Sequence, residues 1–322
     1  MKLKYLWAAV YSLLLTAFTI YAALDTFVTE QVYESVPLAG ETSASDGVQT
    51  ETASAECETF PIAEKEVPTE QEVTSEQEVS SENVYQNENV RIVLTQYREY
   101  DSDIYVADVT LSSPEYLKTA FAKSAYGKNV KDKTSEIAAD VGAVLAINGD
   151  YYGAREKGFV IRNGVLYRDT ASADTEILVI GGDGSFEIMS ETDTSAQALL
   201  DDGAVQVLSF GPGLIADGEI IVTEKDEVGK AMASNPRTAI GMIDELHYLL
   251  VVSDGRTSES EGLSLYELAE FMQSIGAETA YNLDGGGSST MVFQGEIINH
   301  PTTNGKKIKE REVSDIVYIA AE

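Results

Sequence analysis

The sequence predicts a mixed α/β fold of the α+β kind, a β-rich single domain preceded by a transmembrane helix and a disordered acidic linker. Three observations support this prediction. An uncharged apolar run lies near the N-terminus, a long acidic stretch follows it, and the remainder alternates short apolar runs with Gly- or Asn-centred turns. We therefore divide the chain into an anchor at residues 1–24, a linker at 25–89 and a domain at 90–322.

The N-terminal segment has the length and polarity of a membrane anchor. Residues 5–24 form an uncharged, largely apolar run of 20 residues that, as a helix, matches the thickness of a bilayer core. Lys2 and Lys4 predict a cytoplasmic N-terminus, with the acidic remainder on the extracytoplasmic side of a single-pass cell-membrane protein. A cleaved signal peptide is the alternative, although Ala22 and Ala23 form a poor cleavage site, and it would leave the protein secreted.

The linker carries much of the chain's charge. Residues 25–89 contain 16 Asp and Glu with Lys65 as the only base, and so few apolar residues that this stretch is expected to stay unfolded. The whole chain has a formal net charge of -32, which would repel a nucleic-acid backbone, so nucleic acid is excluded as a partner. Cys57 is the single cysteine, and no intrachain disulfide can form.

The folded part begins with strands. Apolar or alternating runs predict strands at residues 90–95, 104–111 and 141–147, and a short helix at 135–140 leads into the third. Asn163-Gly164 and Asp217-Gly218 each separate two short apolar runs, which is typical of β-hairpins.

The clearest helix is predicted near the C-terminus. It begins at Ser264, where Glu267 completes a capping box, and it ends at Gly276. Apolar side chains recur on one face, which are Leu265, Leu268, Ala269, Met272 and Ile275. With strands at residues 247–253 and 278–283, this helix forms a predicted strand-helix-strand unit.

Three apolar strands end in similar polar residues, and this recurrence is the main functional signal. The three strand ends are Asn148-Gly149-Asp150-Tyr151-Tyr152, Ser253-Asp254-Gly255-Arg256, and Asn282-Leu283-Asp284 followed by Gly285, Gly286, Gly287, Ser288, Ser289 and Thr290. Strand ends can converge on one edge of a sheet, so these residues could share a crevice.

The glycine-rich segment suits an anion. Three glycines allow backbone amides to approach a ligand closely, and the Ser and Thr hydroxyls that follow can also bind a phosphate. A nucleotide P-loop is excluded as a simple match because no Lys follows the glycines. The alternative is that Gly285, Gly286 and Gly287 form only a tight turn.

Two arginines are candidates for holding a phosphate. Arg237 lies in Asn235-Pro236-Arg237-Thr238, and Arg256 follows an Asp-Gly pair. A guanidinium presents a planar fork of donors that matches phosphate oxygens. In so acidic a domain, each could instead form a local ion pair.

Asp150, Asp254 and Asp284 supply carboxylates for acid and base work at a glycosidic centre. Each also belongs to, or adjoins, an ordinary turn. Clustered Asp and Asn could alternatively bind a divalent metal, but no EF-hand spacing is present and no cofactor is predicted. His247 and His300 are the only histidines, which argues against a His-based triad or zinc site.

These motifs together resemble the phosphodiester glycosidase family, which includes the lysosomal enzyme that uncovers mannose 6-phosphate and bacterial exopolysaccharide-related proteins. The motifs that carry the resemblance are Asn148 to Tyr152, Asn235 to Gly241, Asp254-Gly255-Arg256, Gly262 to Leu265, Asn282 to Met291 and Glu310 to Asp315. Several ordered motifs are far more specific than any one of them. The resemblance covers residues 90–322.

The resemblance implies a mixed α/β hydrolase that cleaves a sugar-phosphodiester bond, with a phosphorylated glycan of the cell envelope or an exopolysaccharide as partner. By motif, the catalytic residues would be Asp284, Asp254 and Asp150. The substrate-binding residues would be Asn148, Arg237, Thr238, Arg256, Asn282 and the loop Gly285 to Thr290. The family often has Gly and Phe where this chain has Asp150 and Tyr152. The resemblance therefore supports a catalytic role for Asp150 less than for Asp254 and Asp284.

Two other functions remain compatible with the sequence. One is a surface carbohydrate-binding module that keeps the pocket without hydrolysis. The other is a metal-dependent phosphodiesterase that cuts a phosphorus-oxygen bond. Intact acidic and basic residues at the strand ends favour the glycosidase, because a site that only binds an anion has less need of several carboxylates.

Overall fold

A computed structural model describes residues 6–35, 79–81, 83–173, 175–226 and 234–321. The α-helices are α1 (Leu6–Phe27), α2 (Thr134–Asp140), α3 (Ala196–Asp201) and α4 (Leu265–Ser274). The strands of the first half are β1 (Gln31–Ser35), β2 (Val79–Ser81), β3 (Val84–Gln86), β4 (Val90–Glu99), β5 (Ser102–Leu111), β6 (Leu117–Phe121), β7 (Ala125–Lys128), β8 (Ala143–Asn148), β9 (Val160–Arg162) and β10 (Val165–Arg168).

The second half of the described chain is also dominated by strands. They are β11 (Glu176–Gly181), β12 (Phe186–Ser190), β13 (Ala204–Leu208), β14 (Gly213–Ala216), β15 (Glu219–Ile220), β16 (Arg237–Asp244), β17 (His247–Ser253), β18 (Thr279–Asn282), β19 (Met291–Phe293), β20 (Glu296–Ile297) and β21 (Asp315–Ala320). The predicted mixed, strand-rich fold with few helices is confirmed.

The strands form one large sheet and three smaller ones. The large sheet has the order β15-β14-β18-β16-β17-β5-β4-β3-β2. The two five-stranded sheets have the orders β10-β9-β13-β11-β12 and β20-β19-β8-β21-β6, and β1 pairs with β7. Because β16 runs antiparallel to both β17 and β18, those two strands run parallel and α4 connects them. This is the predicted strand-helix-strand unit.

The central strands of the large sheet are buried on both faces, which explains their continuous apolar sequence. Leu250 and Val252 of β17 belong to the cluster that packs against the two smaller five-stranded sheets. Leu249 and Val251, on the opposite face, pack in a second cluster with the apolar side of α4. Alternate residues of a strand point to opposite faces, so one strand contributes to two cores.

Helix α4 has the predicted limits and cap. The Ser264 side chain accepts a hydrogen bond from the Glu267 amide, and the Glu267 carboxylate accepts from the Ser264 amide. Most of the predicted apolar face is buried, namely Leu265, Leu268, Ala269 and Met272. Both hairpins predicted at Asn163-Gly164 and Asp217-Gly218 are also confirmed, as β9–β10 and β14–β15.

The N-terminal helix is long and apolar enough to cross a membrane. The span Trp7–Phe27 has 21 residues and a mean hydropathy of 1.7, and none of its most apolar window is buried against the protein. A signal sequence has a similar length and composition, so this helix agrees with both the predicted anchor and the alternative signal peptide.

The large sheet begins before the boundary predicted at Val90. Strand β3 pairs with β4, and β2 pairs with β3, although both lie within the stretch predicted as a linker. Strand β1, also in that stretch, pairs with β7 at the other side of the domain. The folded part therefore starts earlier than predicted. The unfolded character of the linker remains a prediction, since residues 36–78 lie outside the described residues.

The cap of α4 leads to a stability prediction. We expect Ser264→Ala to lower the free energy of unfolding by about 1 kcal/mol, because the Glu267 amide at the helix start loses its acceptor. Urea unfolding of the full chain in detergent would measure the change. Ser258→Ala, at an exposed loop position, is the matched control and should change little. Equal effects of the two substitutions would contradict the role of the cap.

Candidate active site

A buried amide joins the strand ends that the sequence singled out. Asn148, at the end of β8, donates from Nδ2 to the Asp284 carbonyl oxygen at 2.6 Å. Its Oδ1 accepts from the Thr238 hydroxyl at 2.9 Å and from the Thr290 amide at 3.2 Å. Asn148 and Thr238 have no exposed surface. They therefore hold the loop in place from beneath, and their contact with a substrate stays a prediction.

The glycine loop needs its glycines because other groups press against it. Gly286–Ser288 forms a short 3-10 turn, and Gly286 has a φ of +64°. A Cβ on Gly286 would lie 2.9 Å from Nη2 of Arg256, and a Cβ on Gly285 would lie 2.9 Å from the Pro236 carbonyl oxygen. The loop therefore packs closely against the segment from Pro236 and against one of the predicted arginines.

Asp284 stands at the start of this loop with its carboxylate held from two sides. Its Oδ2 accepts a hydrogen bond from the Ser288 hydroxyl at 2.6 Å and lies 3.6 Å from Nη2 of Arg311. The side chain is 14% exposed. Burial raises the pKa of Asp284 above its usual value, while Ser288 and Arg311 partly oppose that rise. A carboxyl group with a raised pKa near an opening suits a general acid.

Arg311 is a site residue that the sequence reasoning missed. It donates from Nε and Nη2 to the Ser288 hydroxyl, at 3.0 and 2.6 Å, and from Nη2 to the Gly285 carbonyl oxygen at 3.1 Å. Its side chain is 41% exposed, which leaves donors available to a ligand. The signal was present, because Arg311 belongs to the C-terminal motif Glu310 to Asp315.

Arg256 lies on the other side of the glycine loop. Its Nε and Nη2 donate to Asn235 Oδ1 at 3.1 and 2.8 Å, and Nη1 donates to the Thr303 carbonyl oxygen at 2.7 Å. Partial burial and the nearby charge of Arg311 lower the pKa of Arg256. The two guanidinium groups thus repel each other, and an anion between them would relieve that repulsion.

Arg237 occupies a different environment from Arg256. It is 2% exposed, and its Nε donates to the Leu263 carbonyl oxygen at 2.8 Å. Its backbone amide donates to the Ser253 hydroxyl. Arg237 therefore lies beneath the predicted binding surface, and its direct contact with a phosphate stays a prediction.

Asp254 is the second carboxylate of the site and is held by four donors. Oδ1 accepts from the His300 amide at 2.8 Å and from Nδ2 of Asn299 at 3.1 Å. Oδ2 lies 3.0 Å from His300 Nδ1 and accepts from the Tyr105 hydroxyl at 3.3 Å. The His300 side chain is 64% exposed, whereas that of Asp254 is 5% exposed. His300, which the sequence analysis set aside, is therefore the exposed member of an Asp-His pair.

Asn299 connects Asp254 to the glycine loop. Its Nδ2 also donates to the Ser289 carbonyl oxygen at 3.0 Å, and its Oδ1 accepts from the Met291 amide. Asp284 begins the loop, and Asn299 fixes its far end to Asp254. The structure thus connects both predicted carboxylates through one short segment.

Asp150 is the predicted catalytic residue that is fully buried, although the carbonyl oxygen of its neighbour Gly149 accepts a hydrogen bond from the Asp284 amide. The Asp150 carboxylate has no exposed surface and lies 2.9 Å from Nη2 of Arg162. The amides of Tyr152 and Ser209 donate to its two oxygens at 3.0 and 2.8 Å. Asp150 therefore belongs to a buried ion-pair network in this structure, and its catalytic role stays a prediction.

Asp315 is the other carboxylate of that network. Arg162 donates from Nη2 to Asp315 Oδ2 at 2.8 Å, and Asp315 Oδ1 accepts from the Asp150 amide at 3.2 Å. Burial and the charge of Asp150 raise the pKa of Asp315 to about 7. A Cβ on Gly149 would lie within 3 Å of this carboxylate, so the network packs directly against the residue that follows Asn148.

The remaining predicted binding residues are buried within the loop and its supports. Asn282 donates to the Gly211 carbonyl oxygen at 2.8 Å. Among the described residues, the Asn282 Oδ1, Ser289 Oγ and Thr290 Oγ1 atoms are buried without a hydrogen-bond partner. Gly286, Gly287 and Ser288 are also buried, so the accessible part of the site consists of Asp284, Gly285, Arg256, Arg311 and His300.

No metal-binding cluster accompanies these groups. Within the described ranges, no set of three or more His, Cys, Asp or Glu side chains is close enough to hold a metal ion. A cavity of about 580 Å³ lies between β6 and β9 and is lined by residues such as Leu117 and Tyr167, but its lining includes none of the accessible site residues.

Comparisons with known proteins agree with this architecture. Residues 141–320 match a family model described as phosphodiester glycosidase. The SPbeta prophage-derived uncharacterized protein YomE of Bacillus subtilis (strain 168) is 27% identical over 217 residues, which cover 62% of this chain and 34% of that protein. Human N-acetylglucosamine-1-phosphodiester alpha-N-acetylglucosaminidase is 36% identical over 130 residues, which cover 36% of this chain and 25% of the human protein.

A solved structure shares the fold. The catalytic domain of zebrafish N-acetylglucosamine-1-phosphodiester alpha-N-acetylglucosaminidase, auto-inhibited by pro-peptide, superimposes with a TM-score of 0.58 at 22% identity. The match covers 72% of this chain and 83% of the zebrafish chain. The curated relatives are longer proteins, of which this chain spans about a quarter to a third.

The buried network leads to a pH prediction. In the unfolded chain Asp315 has a pKa of about 4, so the folded state, with a pKa of about 7, binds this proton more tightly. Protonation therefore stabilises the fold fully below about pH 4, and that stabilisation is lost as the pH rises to about 7. Asp315→Asn should lack this dependence.

Urea unfolding between pH 4.5 and 7.5 would test this expectation. The free energy of unfolding of the wild type should fall relative to that of Asp315→Asn as the pH rises. Asp140→Asn, at an exposed position, should instead follow the wild type. A difference between wild type and Asp315→Asn that stays constant with pH would contradict the prediction.

Proposed function

Because this chain belongs to the phosphodiester glycosidase family, we propose that its domain hydrolyses the bond between the anomeric carbon of a sugar and a phosphodiester oxygen. The single observation that carries this proposal is the Asp284 carboxylate, which is held by Ser288 and Arg311 at the accessible edge of the glycine loop. The relatives named as N-acetylglucosamine-1-phosphodiester alpha-N-acetylglucosaminidase support this type of bond.

The proposed location is the extracytoplasmic side of a membrane, with α1 as the anchor. The apolar helix Trp7–Phe27 and the preceding Lys2 and Lys4 support this orientation. Glycosyl phosphodiesters of a cell envelope or exopolysaccharide would then lie within reach. If the segment is a signal peptide that is removed, the same domain acts as a secreted enzyme.

In the proposed mechanism, the two accessible arginines bind the phosphate. Arg311 and Arg256 flank the glycine loop, and their donors suit the non-bridging oxygens of a phosphodiester. As the bond between the anomeric carbon and oxygen breaks, negative charge moves onto the phosphate. Asp284 in its protonated form donates its proton to the oxygen that leaves, so the phosphate departs as a monoester.

The Asp254-His300 pair is proposed to activate water. Asp254 accepts a hydrogen bond from Nδ1 of His300, which leaves Nε2 of the exposed ring as a proton acceptor. Water gives a proton to that nitrogen, and its oxygen forms the new bond to the anomeric carbon. The products are a free sugar and a phosphate monoester.

The first functional prediction concerns Asp284. The full chain in detergent should release free sugar from an alpha-N-acetylglucosamine-1-phosphate methyl diester, or from the same diester of another sugar. Asp284→Asn should lower kcat by roughly 10²- to 10⁴-fold, because the amide cannot donate the acid proton. Asp217→Asn is the matched control, since Asp217 is an exposed residue in the β14–β15 turn, and should keep full activity.

Labelled water would identify the bond that breaks. Hydrolysis in ¹⁸O water should place the label in the sugar, because attack is at the anomeric carbon. Label in the phosphate would instead indicate a phosphodiesterase and contradict the proposal. If the wild type binds glycosyl phosphodiesters of a panel but hydrolyses none of them, the result would favour the carbohydrate-binding module.

A second functional prediction follows from the contact between Arg311 and Asp284. Removing the positive charge should raise the pKa of Asp284 further, because a nearby cation favours its charged form. In Arg311→Met, the alkaline limb of the kcat/KM profile should therefore move to higher pH, and KM should rise as phosphate contacts are lost. Arg91→Met, at an exposed position on β4, should leave both unchanged. An alkaline limb that stays in place would exclude Asp284 as the titrating acid.

A further inference from the structure

A pocket of about 420 Å³ opens beside the proposed active site. Its lining consists of Lys133, Thr303, Asn304, Lys307, Lys309, Glu310, Arg311 and Glu312. Two of these residues also belong to the site. Arg311 contacts Ser288 and Asp284, and the Thr303 carbonyl oxygen accepts from Arg256. We call this cavity the lysine pocket, and it is continuous with the glycine loop through Arg311 and Thr303.

The charge of the lysine pocket is opposite to that of the domain. Residues 90–322 carry 19 basic and 38 acidic residues, a net of -19. Yet seven of the eleven lysines in this range lie in two segments, 123–133 and 306–309. Lys133 of the first segment and Lys307 and Lys309 of the second line the lysine pocket. In the first segment Lys123, Lys128 and Lys133 form ion pairs with glutamates, so the second segment matters more for the charge of the pocket.

Two of the lysines lack a carboxylate partner among the described residues. Lys133 is paired with Glu136, and Glu310 accepts hydrogen bonds from the amide and hydroxyl of Ser135. In the described part of the chain, neither Lys307 nor Lys309 forms an ion pair with a carboxylate. Four cations and two carboxylates line the lysine pocket, so its formal charge is +2.

The segment that carries these lysines is fixed to the site. The Thr302 hydroxyl donates to the Lys307 carbonyl oxygen at 2.8 Å, and the Lys309 amide donates to the Pro301 carbonyl oxygen at 2.7 Å. A Cβ on Gly305 would lie 1.9 Å from the Arg256 carbonyl oxygen, so the segment packs tightly against Arg256. The lysines therefore extend from a backbone with a fixed position relative to the proposed phosphate site.

We propose that the lysine pocket is a second anion subsite, which binds a further phosphate on the aglycone of the substrate. This inference rests on the proposed function. The phosphodiester that is cleaved carries one negative charge, which Arg311 and Arg256 can match. Lys307 and Lys309 then remain for a second anion. The substrate class is accordingly a polyanionic glycan, such as a chain of glycosyl phosphates, rather than an isolated sugar phosphodiester.

The concave shape favours a discrete anionic group over a membrane surface. Anionic lipids bind flat basic patches through charge spread over the surface, whereas the lysine pocket surrounds a volume and shares two residues with the site. A bound phosphate there would lie on the same side of the glycine loop as Arg311.

A comparison of two substrates tests the subsite. One is the alpha-N-acetylglucosamine-1-phosphate methyl diester, and the other is the same diester with glycerol 3-phosphate as aglycone, or the matching pair for the sugar that the enzyme hydrolyses. The variant Lys307→Gln/Lys309→Gln should raise KM about tenfold for the second substrate and less than twofold for the first. The matched control is Lys157→Gln/Lys225→Gln, which removes two exposed lysines and should change neither.

Several outcomes would overturn the proposal. Equal changes for both substrates, or no change for either, would show that the lysines do not distinguish a second anion. Turnover in nanodiscs gives a further test. If the lysine substitutions lower turnover only in phosphatidylglycerol bilayers and not in phosphatidylcholine bilayers, the lysines bind anionic lipid. The subsite is then rejected.

A binding measurement separates this proposal from the proposed function. Calorimetry with inorganic triphosphate requires no turnover. The wild type and Asp284→Asn should both bind it, and Lys307→Gln/Lys309→Gln should lose about tenfold in affinity. If triphosphate binds through the lysines but no diester is hydrolysed, the proposed hydrolase activity is rejected and the anion subsite is retained. If diesters are hydrolysed but the lysine substitutions leave the affinity for triphosphate unchanged, the hydrolase activity is supported and the anion subsite is rejected.

Discussion

The buried amide of Asn148 determines where the candidate site can form. Three of its hydrogen bonds join the end of β8 to the Asp284 carbonyl oxygen, the Thr238 hydroxyl and the Thr290 amide. An aspartate at this position could accept from two of these groups but could not donate to the third. In a fully buried position, an unpaired carbonyl and an unpaired charge would both be costly. The two ends of the glycine loop thus depend on the Asn148 amide, which both donates and accepts hydrogen bonds.

The two carboxylates attached to this loop differ in environment, and that difference allows different roles. Asp284 is largely buried, and burial raises its pKa while the Ser288 hydroxyl and the Arg311 guanidinium, 3.6 Å away, oppose that rise. Asp254 accepts from an amide, an asparagine, a tyrosine and a histidine, all of which suit a carboxylate. On the exposed side, Arg256 and Arg311 lie close enough for their charges to interact unfavourably. An anion bound between them would offset this interaction, in agreement with the proposed phosphate site.

Local sequence signals predicted much of the fold and the loop itself. The capping box of Ser264 and Glu267, the two Gly-centred hairpins and the polar strand ends all depend on residues close together in the chain. Asp150 could not be placed in this way. It precedes a turn, but its partners Arg162 and Asp315 lie 12 and 165 residues further along the sequence. His300 was missed for the same reason, because its contact with Asp254 arises only from tertiary packing. Arg311 lies in the C-terminal motif Glu310 to Asp315, but its contact with Ser288 depends on the fold and not on the motif alone.

The central claim is that groups from distant parts of the chain surround one phosphodiester. A crystal structure of Asp284→Asn with a glycosyl phosphonate, in which a methylene replaces the scissile oxygen, tests it most directly. The account predicts phosphonate oxygens within hydrogen-bond distance of Arg311 and Arg256, with the anomeric carbon between residue 284 and His300. A phosphonate bound elsewhere, with the glycine loop and both arginines vacant, would contradict it.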